Sequence, residues 1–183
     1  CEWNRRGLYL QLSLNISADD LLGDELAHRV SGLLRRYGLP AEQLLFEITE
    51  SAVMREPEKA LKVLHLLRDC GISLSVDDFG TGYASVGYLR EYGFNKIKLD
   101  RSLTHSISTD IAAQQVVQGT ILIAKGLSAN IIAEGVETEE EAQLMRLSGC
   151  NQLQGFYFGR PQAATALGSL LGSETAEPLR ETA

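Results

Sequence analysis

A chain of 183 residues, 44% hydrophobic and 22% charged, is long enough for one domain with a sizeable core. Its formal net charge of −7 argues against a nucleic-acid polymer as partner, which would call for a basic face, but admits a small phosphorylated ligand held through metal ions. No apolar run approaches the roughly 18 residues that cross a bilayer, no basic and apolar leader opens the chain, and Cys1, Cys70 and Cys150 form no Cys-x-x-Cys pair. A cytoplasmic location is expected.

The chain opens at Cys1 without a methionine and runs directly into a strand-like segment, so its start is read as a cut edge. Apolar alternation from Leu8 to Asn15 has the period of a strand. Leu26, Val30, Leu33, Leu34 and Tyr37 follow helical spacing between Asp24 and Tyr37, and Gly38 and Pro40 stop that helix. Leu44–Thr49 reads as a second strand, and Pro57 opens a helix that closes at Gly71. A third strand, Ile72–Asp77, leads into the loop Asp78-Phe79-Gly80-Thr81-Gly82. A helix near Ala84–Glu91 precedes a fourth strand, Lys96–Asp100. The helix Ile111–Lys125 then leads to a fifth strand, Ala129–Ala133. Thr138 with Glu141 three residues on forms a capping-box pattern, and a last strand is expected near Gln152–Phe158. Strands alternating with helices of about a dozen residues indicate βαβ units on a parallel sheet. One domain is expected over 1–171, followed by a polar, disordered tail over 172–183.

Polar residues gather where strands end: Asn15, Glu47 and Thr49, Asp77-Asp78, Lys98 and Asp100, Glu134, and Gln154. A single Asp or Glu there is more often a helix N-cap or turn former. Six strands in succession with such a residue match instead a (β/α)8 barrel, whose chemistry is built at the C-terminal strand ends. Glu47 and Thr49 share a face, as do Lys98 and Asp100. Buried carboxylates must be paired or bind metal, and here they outnumber Lys98; an oxygen-rich set without histidine suits Mg2+ or Mn2+. His28, His65 and His105 read as ordinary helix or loop histidines.

From Leu12 to Pro161 the sequence resembles the EAL domain family. The resemblance rests on Ser13-Leu14-Asn15-Ile16-Ser17, Phe46-Glu47-Ile48-Thr49-Glu50-Ser51, Asp77-Asp78-Phe79-Gly80-Thr81-Gly82-Tyr83, Ile97-Lys98-Leu99-Asp100, Ala133-Glu134-Gly135-Val136-Glu137-Thr138 and Gln154-Gly155-Phe156-Tyr157-Phe158. It implies a TIM-type barrel, about six β/α units of it present, and a metal-dependent phosphodiesterase that opens cyclic di-GMP to linear pGpG. By the same resemblance Asn15, Glu47 and Asp77 would hold one of two metal ions. Asp77, Asp78 and Glu134 would hold the other, making Asp77 and Glu134 part of the catalytic set. Lys98 would orient the attacking water, Gln154 and Asp100 would lie at the substrate, and Thr49, Glu50 and Glu137 would support the pocket. Glu50 would anchor the loop after Asp78 and couple it to a homodimer interface.

The family's name-giving Glu-Ala-Leu segment, whose Glu is a metal ligand, does not occur in the sequence. The first two barrel strands are therefore expected upstream of Cys1, where the sequence leaves open a sensor, a GGDEF domain or a membrane anchor. A full barrel of ~250 residues is longer than this chain. Activity is expected of the complete domain rather than of these residues alone. The rival function is a catalytically silent EAL domain that binds cyclic di-GMP and relays its presence.

Overall fold

The structure, a computed structural model, describes residues 2–5, 7–23, 25–80, 86–163 and 166. The expected helix start at Asp24, the loop at Thr81-Gly82, the helix start at Ala84 and the tail over 172–183 lie outside those residues. Six strands, β1 (Leu12–Asn15), β2 (Leu44–Thr49), β3 (Ser73–Phe79), β4 (Lys96–Leu99), β5 (Asn130–Ala133) and β6 (Gln152–Leu153), form one sheet in chain order. Every neighbouring pair is parallel.

Parallel neighbours need crossovers, and helices supply them. A short α1 (Glu2–Arg5) comes first, and α2 (Glu25–Tyr37) links β1 to β2. The next crossover holds α3 (Glu50–Arg55) and α4 (Pro57–Asp69), and α5 (Val86–Tyr92) joins β3 to β4. Then follow α6 (Arg101–Ser106) and α7 (Ile111–Gly126), and finally α8 (Glu139–Ser148). Sequential strand order with a helical crossover between each pair of strands is the wall of a (β/α)8-type barrel. Among the described residues, β1 and β6 are its two open edges.

Alternation along the strands sorts the side chains into two environments. Phe46, Ile48, Leu74, Val76, Ile97, Leu99, Ile131 and Ala133 face the helices and merge with Val63, Leu64, Leu67, Leu89, Val117, Ile121 and Met145 into one buried core. Their neighbours on the opposite face include Glu47, Ser75, Asp77, Lys96 and Lys98. Parallel strands buried on both faces ordinarily read as continuous apolar runs. Here the inner face, Leu45 and Ile132 apart, is polar, so the concave side of the wall is a site and not a second core.

Two strand expectations are corrected. Leu8–Leu10 is not strand: the ladder starts at Leu12 opposite Leu44, because the chain before Leu44 forms a tight helical turn over Ala41–Gln43. The run Gly155–Phe158 is not strand either. Beyond Leu153 it turns, with the Phe158 amide donating to the Gly155 carbonyl and the Tyr157 amide to that of Val136. Aromatic content mimics a strand there, while Phe156 and Phe158 each stay 50% exposed. The stripe on α2 is narrower than its spacing suggests, since Ala27, Val30 and Leu34 are buried but Leu33 and Tyr37 face solvent.

Gly155 has a steric reason to be glycine. An added Cβ would strike the backbone of Val136, whose amide donates to the Gln154 carbonyl at 3.0 Å. Gly155→Ala is therefore expected to cost at least the ~1–3 kcal/mol typical of overpacking. It should lower the denaturation midpoint in a urea titration monitored by circular dichroism.

Candidate active site

Lys98 organises the inner face. Its ammonium reaches Glu47 Oε2 at 2.9 Å, Asp77 Oδ1 at 3.1 Å and Glu134 Oε1 at 2.6 Å, with the lysine side chain only 4% exposed. These partners come from the ends of β2, β3 and β5. Strands three places apart in a flat sheet would stand ~14 Å from each other. Meeting on one nitrogen requires the curvature of a barrel wall.

The charges at this point are unbalanced by design of the sequence, three carboxylates to one ammonium. Burial alone would pull the Lys98 pKa down. Hydrogen bonds to Glu134 and Glu47, with the charges of Glu134 and Asp77, outweigh it and hold the ammonium charged beyond its ordinary range. Glu134 moves upward: burial raises its carboxyl, and Asp77 and Glu47 add repulsion that Lys98 only partly offsets. A carboxyl lifted this way is a proton acceptor nearer to working pH than a free one.

Asp77 and Asp78 are consecutive, so a regular strand would point them to opposite faces. The pairing of β3 with β4 instead slips between Val76 and Phe79, and Asp78 adopts a left-handed φ of 54°. Asp tolerates that region better than most residues. The irregularity turns Asp78 back, so that one oxygen each from Asp77, Asp78 and Glu134 lies within 4.8 Å of the others. Burial first, then the charges of Asp77 and Asp100, raises the Asp78 pKa against Lys98 and Arg101. Three hard oxygens this close, two of them with raised pKa values, fit a divalent cation of the Mg2+ or Mn2+ class.

Beside the cluster opens a cavity of about 630 Å3, lined by Asp78, Asp100, Glu134, Glu137 and Gln154, and by Arg101, His105, Gly135, Gly155 and Phe156. That volume suits a ligand of nucleotide size. The structure thus brings together Glu47, Asp77, Asp78, Lys98 and Glu134, with Asp100, Glu137 and Gln154 on the adjoining wall. Asn15 pairs in register with Glu47 on the open edge strand and is exposed there.

Some predicted site residues also do structural work. Asp100 caps α6, accepting from the Ser102 amide at 2.8 Å; burial opposes its charge, but the bonds from Ser102 and Arg101 keep its carboxyl below the ordinary range. Thr49 caps α3 by accepting from the Ala52 amide. Glu50 is buried at the start of α3, whereas most of the loop it was expected to anchor, residues 81–85, lies outside the described residues. Sequence reasoning missed two cavity residues. Arg101 adjoins Asp100, and its Cβ lies against Gly135. His105 was set aside as ordinary, yet it stands seven positions after Lys98 and pairs with Glu141, seven positions after Glu134, at 2.9 Å. That matched offset, on the first helix after β4 and the first after β5, was the available signal.

The family model described as EAL domain matches residues 2–161. The chain belongs to the EAL domain family. It is 35% identical over 166 residues to the bifunctional diguanylate cyclase/cyclic di-GMP phosphodiesterase MucR of Pseudomonas aeruginosa, covering 91% of this chain and 23% of MucR. Among solved structures, the MucR phosphodiesterase in complex with c-di-GMP superposes with a TM-score of 0.86 at 35% identity, over 91% of this chain and 68% of that one. A manganese and cyclic di-GMP complex of Klebsiella pneumoniae BlrP1 matches with a TM-score of 0.77 at 34% identity, over 82% of this chain and 39% of that one. The chain spans less than a quarter of the length of curated relatives it matches. No helix among the described residues is long and apolar enough to cross a membrane.

The buried lysine yields a test of the cluster itself. Lys98→Met should destabilise the protein by ~3–5 kcal/mol, the cost of leaving buried charge unpaired. Carboxyls whose folded pKa is raised lose stability as pH rises through their titration, so the deficit should be largest at neutral pH and shrink on acidification. Thermal unfolding of both proteins across that range, with and without Mn2+, checks it; added metal should narrow the gap by supplying the missing positive charge.

Proposed function

We propose that this domain is a metal-dependent phosphodiesterase that hydrolyses cyclic di-GMP to linear pGpG. The observation that carries the reading is the convergence of Glu47, Asp77 and Glu134 on Lys98 beside a nucleotide-sized cavity. The MucR and BlrP1 complexes support the choice of ligand, since each is described with cyclic di-GMP.

In this reading Asn15, Glu47 and Asp77 would hold one divalent ion and Asp77, Asp78 and Glu134 a second, Mg2+ or Mn2+. Two such ions would supply Lewis-acid stabilisation to the attacking and leaving oxygens of an in-line displacement. The residues do the rest. Lys98, kept protonated by its neighbours, acts as a hydrogen-bond donor that holds the attacking water. Glu134, whose carboxylate lies 2.6 Å from the Lys98 ammonium, is placed to accept that water's proton. One P–O3′ bond breaks as the water oxygen bonds to phosphorus, and the proton taken from the water passes on to the leaving O3′, giving a 5′-phosphate and a free 3′-hydroxyl. Gln154 and Asp100 position the dinucleotide, and Glu137, Thr49 and Glu50 support the pocket. A homodimer through the EAL domain and an upstream sensor or GGDEF domain complete the proposal, the latter supported by the bifunctional name of MucR.

Incubation of the full-length protein with cyclic di-GMP and Mg2+ or Mn2+, followed by mass analysis, should show linear pGpG. Binding without product under either metal would replace hydrolysis with a sensing role. Asp77→Asn should abolish turnover more completely than dinucleotide binding, read by comparing product formation with calorimetric affinity.

Lys98→Ala should lower kcat by orders of magnitude with a much smaller change in affinity. A loss confined to affinity would assign Lys98 to phosphate binding instead.

A further inference from the structure

The segment that carries Glu134 crosses from β5 to α8 and is held on both sides. On one side the Glu134 amide donates to the Leu99 carbonyl and the Val136 amide to that of Gln154. On the other, Gly135 packs so closely on Arg101 that a Cβ there would lie 2.5 Å from the arginine's own. The next two amides, of Glu137 and Thr138, both donate to Glu141 Oε2, at 2.7 Å and 3.0 Å. One side chain therefore fixes the far end of the segment.

Glu141 is itself an unusual capping residue. Its side chain is 10% exposed, so its second oxygen has little water to rely on. That oxygen is taken by His105 Nδ1 at 2.9 Å. Burial works against the carboxylate, and His105, ahead of the two amides, is the largest influence holding it charged. A capping box requires only Thr138 and Glu141; the histidine is additional to it. It arrives from α6, the helix that begins directly after Lys98 and Asp100. The ring also lines the cavity, and its other nitrogen makes no hydrogen bond among the described residues.

We propose that His105 is a positioning residue that, through Glu141, locks the Glu134–Thr138 segment against α6 and so fixes Glu134 relative to Lys98 and the Asp77-Asp78 pair. The catalytic part of this inference rests on the phosphodiesterase reading, while the mechanical part stands on hydrogen bonding alone. Groups that orient metal ligands from outside typically change metal affinity ~10–100-fold when lost. His105 acts one step further out, so an effect near the lower end is expected.

Two substitutions in the full-length protein separate the hydrogen bond from the volume of the ring. His105→Leu keeps an apolar side chain of similar size and loses the donor, whereas His105→Asn keeps an N–H near the Nδ1 position. Hydrogen exchange at the Glu137 and Thr138 amides should quicken about tenfold in the leucine variant, Mn2+ affinity measured by calorimetry should fall by about tenfold, and kcat should drop with KM for cyclic di-GMP little changed. The asparagine variant should recover most of each loss. Unchanged exchange and Mn2+ affinity in the leucine variant, or equal losses in both variants, would overturn the proposal. So would a rise in KM alone, which would make His105 a substrate contact. If the unmodified protein shows no turnover, the exchange measurement still decides the bracing, and the phosphodiesterase reading fails on its own account.

Discussion

The buried ammonium of Lys98 is the interaction on which this architecture depends. Three carboxylates from separate βα units approach one nitrogen within hydrogen-bonding distance, and burying them without a positive partner would be costly. The same ammonium that gives them a shared counter-charge brings them together, so the charge cluster is also the internal clasp of the wall. Removing a partner would leave charge stranded, which is why buried ion pairs cost more to break than they contribute by being present. Stability at this point is subordinate to assembly of the site.

Much of this was legible in the sequence because two periodicities are superimposed. Alternation within each strand separated Glu47, Asp77 and Lys98 from Phe46, Val76 and Ile97, and the repeated strand-to-helix rhythm announced parallel βα units. The capping box at Thr138 and Glu141 was likewise visible and is present with both hydrogen bonds. What stayed hidden depended on pairing. Nothing local to Asp77-Asp78 reveals that β3 slips against β4, and the aromatic run after Gly155 carries strand propensity while its neighbour Val136 dictates a turn. His105 was passed over for a related reason, since its partner lies on another helix 36 positions away.

The cavity beside the cluster is shared between units. Besides Asp78 from the unit of β3, three units line it: Asp100, Arg101 and His105 come from that of β4, Glu134, Gly135 and Glu137 from that of β5, and Gln154, Gly155 and Phe156 from that of β6. Close backbone approaches at Gly135 and Gly155 join the three without side-chain padding. A rim built this way has little independent freedom in any one loop, so pre-organisation of the site is a property of the packed wall. Cys150 is inert in this setting, its thiol pushed up to about 11 by burial.

The backbone of Asp78 bears on how such a domain changes over generations. Its left-handed conformation is one that Asn and Gly accept readily and branched side chains resist. Both are reached from either aspartate codon by one base change. Random mutation at this codon therefore has two easy exits that keep the fold and withdraw a negative charge from the cluster. The carboxylate pair is thus poised, by geometry and by the genetic code together, for a descendant that retains the cavity and gives up the charge.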